Sequence, residues 1–141
     1  MNTEETKRLI VRYVEEVLNH GNFDLLNEIC SSDYRRYLSP VAEPLTLPKQ
    51  RKRLAAIREA FPDWELQLED IICEGDLAAF RAIVRGTQTG PFLGLPATGT
   101  AFSASALDMI RISDSRFVEH WGGPDLFTLV QQLGAKVVPS D

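Results

Sequence analysis

The sequence predicts an α+β fold in which helices come first and an antiparallel meander follows. Two observations carry this. Apolar residues recur at helical spacing as far as Phe61, and from Trp64 onward the period changes to two. A curved sheet with helices across its mouth encloses a cone, and the inside of a cone is a ligand pocket.

Each element follows from local pattern. In residues 3–19, Leu9, Ile10, Tyr13, Val14, Val17 and Leu18 form one helical stripe. Asn2 or Thr3 can cap its start, and Gly21 supplies the stop. A short second helix runs from Phe23 to Cys30 and buries Leu25, Leu26 and Ile29. Ser31, Ser32 and Asp33 break it, and Tyr34 to Leu38 reads as an extended piece ended by Pro40. Three prolines make Ser39 to Pro48 a loop. Thr46 can cap a third helix with Pro48 in its first turn, and Pro62 ends it. Leu66, Leu68 and Ile72 then alternate with charged and polar neighbours in a first long strand. Ala78 to Thr89, Ala101 to Ile112 and Arg116 to Trp121 are the next strands, with Gly75-Asp76 and Asp114-Ser115 as turns. A last helix covers Leu126 to Leu133, and Gly134 caps it.

Bulk properties exclude several functions. With 141 residues the chain fits one domain spanning 1–141, large enough for a core. A net charge of -5 argues against a nucleic-acid or anionic-membrane partner. The two cysteines and two histidines show no metal-ligand spacing, so neither a metal nor a cofactor is expected. No apolar run approaches the about 20 residues of a membrane span, and the polar start MNTEETKR is no signal peptide. A cytoplasmic protein is the expectation.

Strand alternation sorts the candidate site residues. Asp108 interrupts the apolar face Phe102, Ala104, Ala106, Ile110 and Ile112. A carboxylate buried there must be paired, hydrogen-bonded or protonated. In Arg116 to Trp121, Phe117, Glu119 and Trp121 share one face, and His120 points the other way. Asp125 follows Gly122-Gly123-Pro124 and opens the last helix. It reads as a helix cap, and as a functional group if the helix mouth faces the cavity. Arg81 and Gln88 lie on opposite faces of their strand.

Taken together, four segments resemble the SnoaL-like polyketide cyclase family of the NTF2-like superfamily. They are Tyr13 to Asn19; Gly86-Thr-Gln-Thr-Gly90 with Gly94 to Gly99; Asp108 to Arg111; and Phe117-Val-Glu-His-Trp121 with Asp125 and Gln132-Leu-Gly134. The resemblance implies an NTF2-like cone-shaped barrel with N-terminal helices packed on a curved, mostly antiparallel sheet. It also implies ring closure by intramolecular aldol condensation through acid-base chemistry, without metal or cofactor. The family's acid/base Asp falls on Asp125. A polar pocket position, often His, falls on Asp108. Tyr37 and Gln88 stand where the family pattern has histidines.

On that resemblance Asp125 removes a proton alpha to a carbonyl, its pKa raised by burial. Gln88, Tyr37 or a protonated Asp108 donates to the enolate oxygen. Trp121, Trp64 and Phe117 hold a flat apolar substrate, with Tyr13, Glu119 and Arg81 completing the pocket. Two alternatives share the same cavity. One is a non-catalytic binding module. The other is hydrolase-, isomerase- or dehydratase-type chemistry using Asp108, Arg81 and Asp125 to activate water. Apolar residues on the convex face, Ile83, Leu107 and Met109, predict a homodimer.

Overall fold

The computed structural model describes residues 1–140. Helix α1, Thr3–Arg12, starts where the Asn2 side chain accepts from the Glu5 N–H at 2.9 Å, while Glu5 accepts from the Asn2 N–H at 3.1 Å. This reciprocal cap satisfies amides that a helix start leaves open. The helix continues as a π-helical segment, Tyr13–Asn19, whose Tyr13, Val14 and Val17 are buried. π-Helical turns are rare and concentrate at functional sites.

The expected second helix is split into a 3₁₀ turn, Phe23–Leu25, and a single turn α2, Leu26–Ile29. Cys30 already belongs to strand β1, Cys30–Tyr37. The cause is long-range. β1 pairs in parallel with the last strand, and that ladder draws Ser31 to Asp33 into an extended path that local propensity does not favour. Helix α3, Leu47–Ala60, begins with Thr46 at its cap position and Pro48 in its first turn. Strands β2 (Glu65–Glu74), β3 (Leu77–Thr87), β4 (Ala101–Ser113) and β5 (Arg116–Pro124) follow, and α4 spans Leu126–Gln132.

The five strands form one sheet in the order β1-β5-β4-β3-β2, antiparallel except for the β1–β5 pair. The sheet curves but does not close. Its concave face carries Ala78, Phe80, Ala82 and Val84 of β3 and Phe102, Ala104, Ala106 and Ile110 of β4, all buried. The alanines matter, because small side chains on the concave face leave a hollow where larger ones would fill it. Phe61, Trp64 and Phe102 pack ring against ring at 5.1–5.6 Å and form one wall.

One irregularity decides which side chains enter the hollow. Arg111 pairs with Glu119, but Ile112 pairs with Phe117, so β5 holds an extra residue between them. Such a bulge flips the alternation. Phe117 and His120 both point inward and are buried, whereas Glu119 and Trp121 face outward. The sequence expectation of a shared inner face for Phe117, Glu119 and Trp121 is therefore corrected.

Candidate active site

Asp108 on β4 and His120 on β5 meet inside the cone, with Asp108 Oδ2 2.6 Å from His120 Nε2. The Tyr34 hydroxyl, from β1, lies 3.0 Å from the other ring nitrogen, Nδ1. The network fixes the tautomer: Nε2–H donates to the carboxylate, and Nδ1 accepts from the tyrosine. Burial pushes the His120 pKa below its usual value. Asp108 opposes that shift, and the Arg36 and Arg53 charges add to it. A neutral imidazole is thus the form the site favours.

A pH dependence of stability follows. The unfolded imidazole binds a proton near its ordinary pKa of about 6.5, while the folded one resists until lower pH. Between those values the unfolded state holds more protons, so acid favours unfolding. One proton contributes at most about 1.4 kcal/mol per pH unit. Thermal melting from about pH 7.5 down to about pH 5, above the range where carboxylates titrate, should show a falling Tm. The profile of His120→Gln should be flatter; equal slopes would assign the effect elsewhere.

Asp108, His120 and Tyr13 line an inner chamber of about 40 Å³. That space holds a water or two, or one carbonyl group, but no ring system. It adjoins a vestibule of about 470 Å³, and the two share Arg53, Ile57, Trp64 and Pro124. The vestibule has the size of an ordinary small-molecule site. The Tyr13 ring stands edge-on to Phe117 at 5.2 Å and to His120 at 6.0 Å. Its hydroxyl has no hydrogen-bond partner among the described residues. Burial and the Asp108 charge raise its pKa, so it stays a donor. Asp108 uses Oδ2 for His120, and Oδ1 has no partner among the described residues.

The remaining sequence candidates are dispersed. Asp125 is exposed at the start of α4, where it accepts from the Thr128 N–H at 3.1 Å and the Thr128 hydroxyl at 2.7 Å. Those bonds hold its pKa below the usual carboxylate range, opposite to the rise expected of a buried base. It is a helix cap outside the chamber. Asp125→Asn should leave both Tm and turnover at wild-type values, since Asn caps as well as Asp. A large loss of turnover in that variant would return Asp125 to the site.

Arg81 points outward and pairs with Asp70 at 2.8 Å, so the set Asp108, Arg81 and Asp125 does not assemble. Glu119 pairs with Arg111 at 2.9 Å on the outer face. Tyr37 and Trp121 stack on each other at 5.5 Å, also outside, because the inward positions of β1 are Tyr34 and Arg36. Gln88 is fully buried but binds the Leu95 carbonyl and the Thr98 hydroxyl, fixing the loop after β3 rather than lining the chamber. Phe117 is core behind Tyr13. Trp64 and Tyr13 do line the chamber.

Sequence reasoning passed over His120, Tyr34, Arg36, Arg53 and Gln50. Only the β5 bulge turns His120 inward, and no local signal announces it. Arg53 and Gln50 lie in the basic run Lys49 to Arg53, which in sequence reads as the solvated face of a helix.

A cone with a polar inner chamber and an apolar vestibule is the ground plan of small-molecule enzymes and binding proteins alike. Similarity decides between them. Residues 8–133 match the SnoaL-like polyketide cyclase family, and the chain belongs to that family. Over 133 residues it is 31% identical to aklanonic acid methyl ester cyclase DnrD of Streptomyces peucetius, covering 89% of this chain and 88% of that one. It is 28% identical over 119 residues to nogalonic acid methyl ester cyclase of Streptomyces nogalater, covering 82% and 88%. The structure of TsrD from Streptomyces laurentii superposes with a TM-score of 0.86 at 31% identity, covering 96% of this chain and 99% of that one. Its named relatives are cyclases, which makes this an enzyme of cyclase type. Among the described residues no helix is long and apolar enough to cross a membrane.

Proposed function

We propose that the protein closes a ring on a small polyketide-like substrate by intramolecular aldol addition, with Asp108 as the base. The observation that carries this reading is the Asp108 carboxylate itself. One oxygen is held by His120 at 2.6 Å, and the other, at the chamber wall, has no partner among the described residues. Asp108 Oδ1 takes the acidic proton between two carbonyls. The resulting enolate carbon attacks a ketone carbon within the same molecule. The new alkoxide takes back a proton from Asp108. The Tyr13 hydroxyl donates to the enolate oxygen as charge develops. His120 serves as a positioning residue, because both of its nitrogens are already engaged. The reaction so written is a redox-neutral isomerisation that needs no cofactor.

The chamber admits the reacting carbonyl, and the body of the substrate lies against Trp64 and Phe92 in the vestibule. Nuclear magnetic resonance in D₂O tests the first step. Exchange of the acidic α-proton of a 1,3-diketone should be accelerated by the protein, and exchange at the solvent rate would overturn the reading.

The outer face supports a homodimer. Ile72, Ala79, Met109 and Trp121 lie opposite one another across β2, β3, β4 and β5. Ile72, Met109 and the neighbouring Leu107 are exposed, while Ile83 is partly covered. A row of this kind favours an isologous contact. Light scattering at micromolar concentration should give twice the 15.8 kDa of the chain; a monomer mass would refute it. Two free cysteines, Cys30 buried and Cys73 half-buried, suit a reducing cytoplasm.

A further inference from the structure

The inner chamber carries more positive charge than the proton transfer uses. Arg36 is 2% exposed. Its guanidinium donates to the carbonyl oxygens of Tyr37 (3.1 Å), His120 (3.3 Å) and Gly122 (2.6 Å), and its Nε is buried without a partner among the described residues. A Cβ on Gly123 would lie 3.1 Å from its terminal nitrogen, so the glycine leaves the guanidinium its place. Arg53 lines both the chamber and the vestibule and forms no ion pair or hydrogen bond among the described residues. Burial, and then Arg36, lower its pKa. Gln50, on the same helix, is 1% exposed, and its Oε1 has no partner among the described residues.

Backbone carbonyls satisfy N–H groups but do not cancel a charge. Among the described residues Asp108 is the one carboxylate lining the chamber, and it already serves His120. One buried and one partly buried cation therefore face one anion. Uncompensated buried charge is costly, and a folded chain tolerates it where a ligand supplies the partner.

We propose, building on the cyclase reading above, that the substrate carries a free carboxylate that seats at the neck between chamber and vestibule, against Arg53, Arg36 and Gln50. Arg53 offers the planar fork that matches a carboxylate. The Gln50 amide turns its NH₂ towards the anion. Arg36 supplies field from behind and its free Nε–H. The two named relatives are methyl ester cyclases, and an esterified carboxyl has no charge to place there.

Binding of 2-naphthoate and of methyl 2-naphthoate, followed by Trp64 fluorescence and calorimetry, tests this. The acid should bind the wild type about tenfold or more tightly than the ester, equivalent to about 1.4 kcal/mol. Arg53→Gln, with its fold checked by circular dichroism, should erase the preference, bringing the Kd of the acid level with that of the ester. Arg53→Lys should keep part of it. Equal binding of acid and ester by wild type, or a full preference in Arg53→Gln, would overturn the anion site. Neither readout depends on turnover. A carboxylate preference without α-proton exchange would sink the cyclase reading and leave the anion site standing.

Discussion

Asp108→Asn should slow α-proton exchange and ring closure by about 10²–10⁴-fold, the usual worth of a positioned general base. The amide keeps the size of the carboxylate, and its oxygen can still accept from His120 Nε2–H, now at 2.6 Å from Oδ2. It cannot take a proton. The fold should therefore survive with little change in Tm. Asp108→Ala separates chemistry from structure. It orphans the buried His120 N–H, which costs about 1–3 kcal/mol, so it should lose both stability and rate. An Asn variant that exchanges at the wild-type rate would remove Asp108 from the reaction.

Gly122→Ala should be the most damaging single methyl in the molecule. Gly122 sits at φ +92°, a region that other residues rarely adopt, and pairs with Asp108 across the β4–β5 ladder. A Cβ there would fall 2.1 Å from the Leu107 carbonyl oxygen and 3.0 Å from the Asp108 Cα. Both neighbours are backbone, so relief requires moving β4 itself. Combined strain and displacement should cost about 3–4 kcal/mol, or on the order of 10 °C in Tm. Asp108, the proposed base, moves with the strand, so turnover should fall with stability. Gly75→Ala is the control: its backbone is also left-handed, at φ +59°, but a Cβ meets nothing within 4 Å. Its cost should stay near about 1 kcal/mol. Equal melting temperatures for the two variants would show that β4 yields without cost.

The helices and strands were legible because their periodicity is local. The stripe from Leu9 to Leu18, the alternation of β3 and β4, and the Asp125 cap can all be read from neighbours in sequence. Asp108 was legible too, as a charge on an apolar strand face. What was hidden depends on distant pairing. The β5 bulge inverts the residues after Phe117, bringing in His120 and turning out Glu119 and Trp121. Parallel pairing with β5 converts Ser31 to Asp33 into strand and places Tyr34 and Arg36, not Tyr37, inside. The assignment of Asp125 as base came from family pattern, and an exposed carboxylate satisfied by Thr128 does not fit that role.

The parallel β1–β5 pair also sets when the chamber can exist during synthesis. Tyr34 and His120, joined by a hydrogen bond, are 86 residues apart in sequence. The meander β2-β3-β4 consists of adjacent hairpins, joined by the Gly75-Asp76 turn and by the loop between Thr87 and Ala101, whereas β1 must wait for the penultimate element to leave the ribosome. Contacts this distant carry a loop-closure entropy that is met late, so they slow folding more than they weaken the finished fold. Until β5 arrives, β1 and the neighbouring edge of β4 are open ladders with exposed N–H and C=O groups, the kind of edge that templates aggregation. The same strand that delivers His120 to the chamber thus ends the nascent chain's most vulnerable interval.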